Sequence, residues 1–544
     1  MYNPDDQHVQ EDGEGMSIID PTGADEAVTP KSNLLFTWVK KYGVYLLLMT
    51  IALLRGIAYA NLLPPWAIID EEQHLHYIQV LSEEQRRPDP RNDFLSEELV
   101  ASLFEAHRWE TFGFGTPPAP DPRVMGLEGY SYEGYQPPLY YLLMVPIYRL
   151  VQGSMLERLF ALRWATVALS SLTIALTYSL ANKLSGSKRV AFLAALILLS
   201  IPERTVAVSR VNNDALLEIF GALYLWLSLR AIIETPNDRD SVLLGLVLGL
   251  GTLTKMTMLP LVIALPFVFY TSHKTYSPRR GLGLSLGSAA VLILPLIFYN
   301  LQQFGDITGF GGIAPMLNFP APVLSVMAFL DSLVRLFIYF WGILWQSARA
   351  TINPTFTVLY GILFLISCLS ISGLRLALRP NPEYEGDRRR VISIWLLITV
   401  TIVYAVFTLF SYWRGLVPIV QGRFLLPVTP AIAVLLVLGV RRSPIPSLTI
   451  SALIVGLLLM DGFILFGHLL PQYYPVDVSS LLSHIPRLSL FSILDSLIQR
   501  AGSFKPDFVM QTLHVTIAGY ILAYVLVLII VMIMIRKRFR CDAA

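Results

Sequence analysis

Cysteine is nearly missing from this chain. Two occur in 544 residues, Cys368 inside an apolar run and Cys541 in a basic tail, so neither a disulfide framework nor a Cys-based metal site is expected. Charge is scarce as well, at 15% of residues against about 25% in an ordinary soluble protein. The net charge of +2 carries no nucleic-acid signature, because Lys and Arg lie in short segments between apolar runs rather than on one face. No Gly-rich strand–helix loop is present to cradle a nucleotide phosphate. The first 32 residues lack the basic start and apolar stretch of a signal peptide. Acidic and poor in apolar residues, they read as a disordered tail.

Apolar sequence is abundant, at 54% of the chain, and comes in runs of about 20 residues. The fold class that follows is an all-α polytopic membrane protein with about twelve transmembrane helices. The spans are expected at 42–62, 159–182, 188–205, 214–234, 241–257, 258–272, 282–301, 355–378, 391–411, 424–440, 445–467 and 513–535. Lys40 and Lys41 hold the start of the first in the cytoplasm. Lys183, Lys188, Arg189, Arg239, Lys274, Arg279, Arg280, Arg379, Arg388 to Arg390, Arg441, Arg442 and Arg536 to Arg538 then all fall on the cytoplasmic side. Both termini are therefore expected inside a plasma (inner) membrane. The segment Pro138–Val151 is too short to span and is expected as a surface helix started by Pro137-Pro138. Val323–Trp345, with Asp331 and Arg335, is expected as an external interfacial helix or a re-entrant element. The chain divides into a cytoplasmic tail (1–41), a transmembrane module with a large external loop (42–303, loop 63–158), and a second external loop with the C-terminal helices (304–544).

That first loop opens on Asp70-Glu71-Glu72, followed by His74 and His76. Ionisable residues at a membrane boundary mark function unless they face water or a partner. Asp70 can serve as a general base toward an attacking hydroxyl. Glu71 can orient it, shift its pKa or bind a cation. The alternative is that all three acids cap the helix that follows. His74 lies four residues after Asp70, on the same helical face. It could be a hydrogen-bond partner, a metal ligand or an interfacial residue. Asp214, in Arg210-Val-Asn-Asn-Asp214, is a second carboxylate at an outer boundary or an N-cap of the fourth span. Lys255 sits in an apolar stretch, to contact a phosphate or carboxylate or to snorkel outward. Arg423, in Gln421-Gly422-Arg423, opens a span from the outside, where the positive-inside rule asks for no basic residue. Arg204, Arg210, Arg349 and Arg414 are also external, and arginine forks suit phosphate. These residues together point to a phosphate-bearing lipid and a nucleophile that must lose a proton. Three classes stay open: an enzyme acting on a lipid-linked phosphate, a secondary transporter or lipid flippase, and a non-catalytic scaffold. The lack of a repeat between the halves and the gathering of charge at one face argue against the transporter.

Several blocks, in this order, resemble the GT-C superfamily of membrane glycosyltransferases, which includes protein O-mannosyltransferases and the aminoarabinose transferase of lipid A. Asp70-Glu71-Glu72-Gln73-His74 is similar to the family's Asp-Glu-x-x-His element. Tyr135-Gln136-Pro137-Pro138-Leu139-Tyr140-Tyr141 resembles its Pro-Pro-Leu-Tyr-Tyr segment. Arg163 falls where many relatives carry an Arg, and Asn213-Asp214 resembles the second acidic motif. Gly249 to Lys255 resembles a Gly-rich span ending in Lys, and Gln421 to Pro427 a Gln-Gly-Arg-Tyr-x-x-Pro block. Many relatives carry His or Lys where this chain has Gln136. The resemblance implies a GT-C fold and inverting transfer of a sugar from a polyprenyl-phosphate donor to a glycan, lipid or protein acceptor at the outer face. It implies Asp70 as base with Glu71 and Asp214 as catalytic partners. It implies donor or acceptor contacts from His74, Tyr135, Gln136, Arg163, Arg210, Lys255 and Arg423. A divalent cation, magnesium or manganese, is a further expectation, with Asp70, Glu71, His74 and Asp214 as its candidate ligands.

Overall fold

The computed structural model describes residues 32–66, 70–112, 116–271, 276–316, 322–323, 325–342, 354–379, 385–417, 419–442, 446–470 and 499–541. The expected tail over 1–31, Arg349 and most of the loop 468–512 lie outside the described residues. Eighteen α-helices carry the argument. In order they are α1 (Ser32–Leu62), α2 (Glu71–Glu83), α3 (Glu97–Glu105), α4 (Arg108–Phe112), α5 (Leu139–Leu150), α6 (Met155–Ser185), α7 (Lys188–Ser200), α8 (Pro202–Val208) and α9 (Asp214–Ile233). They continue with α10 (Asp238–Thr254), α11 (Ala264–Thr271), α12 (Pro278–Phe304), α13 (Val326–Trp341), α14 (Pro354–Ala377), α15 (Glu385–Trp413), α16 (Thr429–Val440), α17 (Pro446–Gly462) and α18 (Asp507–Cys541). No β-strand occurs among the described residues.

Local chemistry explains where the boundaries differ from the apolar runs. α1 starts at Ser32, before the expected Tyr42, because Leu34, Leu35, Phe36, Trp38 and Val39 continue the helix-compatible sequence. The segment 32–41 is therefore helical rather than part of a disordered tail. α6 starts at Met155 rather than 159, set by a capping box: Glu157 N–H donates to Ser154 Oγ (3.3 Å), and Ser154 N–H donates to Glu157 Oε2 (2.8 Å). Pro202, whose ring disfavours helix in the residue before it, bends α7 against α8 by 67°.

Nine described helices are long and apolar enough to cross a membrane, ten if α7–α8 is one bent span. The two other expected spans, 241–257 and 258–272, are shorter. α10 has 17 residues, and after it a 3₁₀ segment of 8 residues (Met256–Ile263) runs into α11, also of 8. The chain breaks between them at Lys255, which is extended at φ −159°, ψ 132°. At a rise of about 2.0 Å per 3₁₀ residue and about 1.5 Å per α residue, the second piece is about 28 Å long, near the ~30 Å of a hydrocarbon core.

Polar contacts sort the helix ends. Arg280 Nη2 lies 2.6 Å from Asp238 Oδ2, and Arg230 Nη2 lies 2.9 Å from Asp240 Oδ1. Lys183 pairs with Glu234, and Arg389 Nη1 donates to Ile233 O at 3.0 Å. The C-terminal ends of α6 and α9 thus meet the N-terminal ends of α10, α12 and α15. The opposite end holds the C-terminus of α1, the start of α9, the break at Lys255 and the turn before α16. Between the ends lies a charged network. Arg55 Nη2 is 2.7 Å from Asp461 Oδ1, both fully buried. Tyr59 donates to the same oxygen (2.7 Å), and Tyr520 (2.8 Å) and Tyr524 donate to Oδ2. α1, α17 and α18 are joined through this single carboxylate, as a membrane-buried charge requires.

The loop after α1 folds over the end that carries Lys255 and the start of α9. α5 has 12 residues, too few to span, and begins after Pro137-Pro138 as expected. α13 buries Leu336, Phe340 and Trp341 and leaves Val326, Met327, Leu330 and Val334 exposed. Among the exposed residues, Asp331 and Arg335 pair at 2.5 Å one helical turn apart.

Candidate active site

Three consecutive acids open α2, and each meets a different arginine. Successive helical residues project about 100° apart, so three neighbours cannot share one site. Glu71 is fully buried and faces Arg163, which donates from Nε to Oε1 (2.8 Å) and from Nη2 to Oε2 (2.5 Å). Val211 N–H also donates to Oε1 at 3.0 Å. Arg163 spends its remaining donors on Ala60, Leu63 and Pro64 carbonyls, at 3.0, 3.3 and 3.0 Å. This clamp fixes the end of α1 to the start of α2. Glu72 takes a bond from Arg108 Nη2 (2.5 Å), and burial pushes its carboxyl up to about 7 against the pull of that guanidinium.

Asp70 does something else. It occupies the N-cap position of α2 but makes no side-chain capping bond, so the capping alternative does not describe it. Its φ of 76° lies in the left-handed region, which Asp tolerates better than most residues but which still costs energy. The Glu71–Arg163 clamp beside it supplies the constraint that holds such a backbone. The side chain turns sideways: Tyr132 Oη donates to Oδ1 (2.5 Å) and Arg423 Nη2 to Oδ2 (3.0 Å). Burial raises its pKa, but Arg423, the Tyr132 hydroxyl, His74 and Arg210 outweigh it and hold the carboxyl at about 2. Asp70 is an anion at every physiological pH.

Arg423 reaches Asp70 from the 3₁₀ turn Gly422–Val428 before α16. Two close approaches set that turn. A Cβ on Gly422 would lie 2.3 Å from Tyr339 O of α13, and one on Gly221 of α9 would lie 2.3 Å from Pro427 O. Arg423 Nε also donates to Gln421 Oε1.

The second carboxylate arrives from α9. Asp214 Oδ1 receives Lys255 Nζ at 2.6 Å, while Oδ2 is buried without a hydrogen-bond partner. The extended backbone at Lys255 turns that side chain out of the α10 ladder and toward α9. Asn213 Nδ2 ties the two halves together, donating to Thr254 O (3.2 Å) and to Gln136 Oε1 (3.3 Å). Gln136 Nε2 in turn donates to Tyr135 Oη at 2.8 Å. Gln136 thus works as a neutral bridge between the Pro-Pro segment and the second acidic motif. His74 Nδ1 shares a bond of 2.8 Å with Tyr141 Oη, and burial holds the ring neutral, with a pKa of about 3. Arg210 is buried in the same neighbourhood, its charge acting on Asp70 and His74.

The structure therefore gathers Asp70, Asp214, Lys255, Arg423, Arg210, His74, Tyr135 and Gln136. It turns Glu71 and Arg163 away from them, into the clamp. The expected cation site does not fit the donor set. Glu71 is saturated by Arg163 and Val211, Asp214 holds Lys255, and no group of three His, Cys, Asp or Glu among the described residues is placed to hold a metal ion.

The polar groups of this site come from α2, α9, the Lys255 break and the turn before α16, all at one end of a helical membrane protein. A crystal structure of ArnT from Cupriavidus metallidurans bound to undecaprenyl phosphate superposes with a TM-score of 0.50 at 14% identity, covering 89% of this chain and 75% of that one. The chain has the GT-C fold. ArnT from the same organism in the apo state matches with a TM-score of 0.42 at 15% identity over 82% of this chain and 74% of that one. The Archaeoglobus fulgidus oligosaccharyltransferase in its apo form matches with a TM-score of 0.37 at 15% identity over 89% and 56%. By sequence, the family described as dolichyl-phosphate-mannose-protein mannosyltransferase matches residues 135–299. That stretch contains Tyr135, Gln136, Arg210, Asp214 and Lys255, and leaves Asp70 and Arg423 outside it. Among curated proteins, none matches the sequence.

Two residues of this site escaped the sequence reading. Tyr132 and Glu133 lie on a single 3₁₀ turn, Tyr132–Tyr135, just before the Pro-Pro segment. Neither falls in a periodic pattern, so only their nearness to Tyr135-Gln136 in the chain could have drawn notice.

Proposed function

We propose that this protein transfers a sugar from a polyprenyl-phosphate donor to an acceptor hydroxyl or amine on a glycan, lipid or protein. Transfer takes place at the outer face of the plasma (inner) membrane and inverts the anomeric carbon. One observation carries the reading: two carboxylate–cation pairs, Asp70–Arg423 and Asp214–Lys255, stand together at one end of a GT-C fold. The solved ArnT with undecaprenyl phosphate supports a lipid phosphate as the donor's carrier. The clustering of Lys183, Arg230, Arg280 and Arg389 at the opposite end supports an outward-facing site with both termini inside.

The chemistry follows from the charges. The acceptor group hydrogen-bonds to Asp70, which orients it and draws on its proton as general base. The acceptor oxygen or nitrogen attacks the anomeric carbon, and the lipid phosphate leaves with the electron pair. Lys255, Arg210 and Arg423 stabilise the charge that builds on the phosphate, in a site that excludes water. Arg423 is held by Asp70 in the absence of substrate, and a donor phosphate competes for its fork. Asp214 keeps Lys255 in place. The test is sugar transfer by purified protein from a defined polyprenyl-phosphate sugar. Asp70→Asn keeps the side-chain shape and suits the left-handed backbone, so it should fold, retain donor binding and lose transfer by about 10²–10⁴-fold. Undiminished transfer by that variant refutes the assignment.

A further inference from the structure

The turn that supplies Tyr132 to Asp70 also carries Glu133, and the mechanism so far gives this residue no task. Its side chain is 7% exposed, and its Oε2 is buried with no hydrogen-bond partner. An unmatched carboxylate oxygen in a protein interior is costly, and such groups gather where chemistry needs them. The groups that face Glu133 come from four elements: Asp70 at the start of α2, Gln136 beyond its own turn, Lys255 at the break after α10, and Arg423 before α16. The hydroxyls of Tyr132, Tyr135 and Tyr141 also sense its charge. Glu133 therefore lies among the residues assigned above to acceptor and phosphate.

The environments of the two carboxylates differ sharply. Burial chiefly, and then the charge of Asp70, raise Glu133 to about 7, while Lys255, the Gln136 hydrogen bond and Arg423 pull it back in part. Asp70 is held at about 2. Two neighbouring carboxyls pushed apart in this way divide acid–base work between them. A base is most effective when its pKa lies near the working pH. Asp70 is well placed to hold an acceptor but is a poor resting place for its proton.

We infer that Glu133 completes the general base: Asp70 and Glu133 act as a carboxylate pair in which Asp70 engages the acceptor and Glu133 keeps the proton. This rests on the glycosyl-transfer reading and deepens it. In the balanced step, the acceptor O–H or N–H bond breaks as the new bond to the anomeric carbon forms. The bond from that carbon to the phosphate oxygen breaks, and the phosphate keeps the pair. The proton passes to the Asp70–Glu133 pair, ends on Glu133, and leaves to solvent before the next cycle. Glu133 must be ionised to receive it, so turnover rises with pH through the titration of Glu133 and levels off above.

The experiment uses full-length protein in detergent or nanodiscs with a polyprenyl-phosphate sugar and acceptor. Wild type should show a kcat limb near pH 7. Glu133→Gln should lower kcat about 100-fold, leave the donor KM within a few-fold, and lose that limb. Glu133→Asp should recover part of the rate with the limb displaced. Infrared difference spectra taken across pH 6 to 8 should show a titrating carboxyl in wild type that is missing from Glu133→Gln, and this readout needs no turnover. A Glu133→Gln protein with wild-type kcat and the same limb overturns the inference, as does a wild-type spectrum with no titrating carboxyl in that window. Wild-type protein that transfers no sugar overturns the functional reading instead.

Discussion

Glu71→Gln separates a clamp from a catalyst. Glu71 accepts two bonds from Arg163 and one from Val211 N–H with no solvent exposure. The amide keeps the shape and one acceptor oxygen, but it leaves Arg163 charged and buried with only the carbonyls of Ala60, Leu63 and Pro64. Removing one partner of a buried ion pair costs about 3–5 kcal/mol, and the three carbonyls keep the cost near the lower bound, at about 3 kcal/mol. With about 2.1 cal/mol/K of unfolding entropy per residue, a chain of this length loses about 3 °C in Tm for that amount. Transfer falls together with Tm, because Asp70 loses the neighbour that fixes its left-handed backbone. The double variant Glu71→Gln/Arg163→Gln replaces the ions with an amide pair that still reaches the carbonyls and Val211. It should recover most of the Tm and much of the transfer rate. Thermal shift in detergent and single-turnover transfer measure the two quantities on the same preparations. Abolished transfer at an unchanged Tm, with no recovery in the double variant, would show that Glu71 works at the reacting centre and would refute the clamp.

Lys255→Gln should cost at least about 100-fold in transfer and also destabilise, since it strands Asp214; adding Asp214→Asn should restore Tm but not transfer, by the same two assays. Gly422→Ala places a methyl group 2.3 Å from Tyr339 O, which must push the Arg423 turn off α13 and cut transfer about 10–100-fold while leaving expression intact. The Asp70 carboxyl is lower in the folded protein (about 2) than in the unfolded chain (3.8). Its contribution of about 2 kcal/mol is complete above pH 4 and is lost as pH falls through about 2. Melting curves of wild type and Asp70→Asn should therefore run parallel from pH 5 to 8 and converge only in strong acid.

How much of this was legible in the sequence depended on what each residue does. Asp70, Asp214, Lys255 and Arg423 stood out because a charge in or beside an apolar run has few explanations, and the structure brings all four together. Glu71 stood out for the same reason and Arg163 through the family resemblance, but the structure joins the two in a clamp on the backbone. Sequence alone cannot tell a buried pair that binds substrate from one that closes a helix junction, because both need the same desolvated charges. Glu133 and Tyr132 were invisible because a 3₁₀ turn has no apolar periodicity to place them against. The positions of Lys and Arg led to an expectation of about twelve spans, of which nine described helices, ten with the bent α7–α8 pair, are long and apolar enough to cross a membrane. The break at Lys255 falls two residues from the expected boundary between 241–257 and 258–272, although Thr254, Lys255 and Met256 carry no Pro or Gly to announce it.

The Arg55–Asp461 pair has a consequence for synthesis. Arg55 sits in the first membrane helix, and its carboxylate partner lies about 400 residues further on. At about 5–20 residues per second, the ribosome takes about 20–80 s to reach Asp461 after Arg55 emerges. Throughout that interval α1 holds an arginine whose partner carboxylate does not yet exist. Tyr59 waits with it, and Tyr520 and Tyr524 arrive later still. The first helix therefore cannot complete this network until α17 and α18 have been made. A nascent chain halted before α17 should be open to membrane quality control, and completion of α18 becomes the event that closes the molecule.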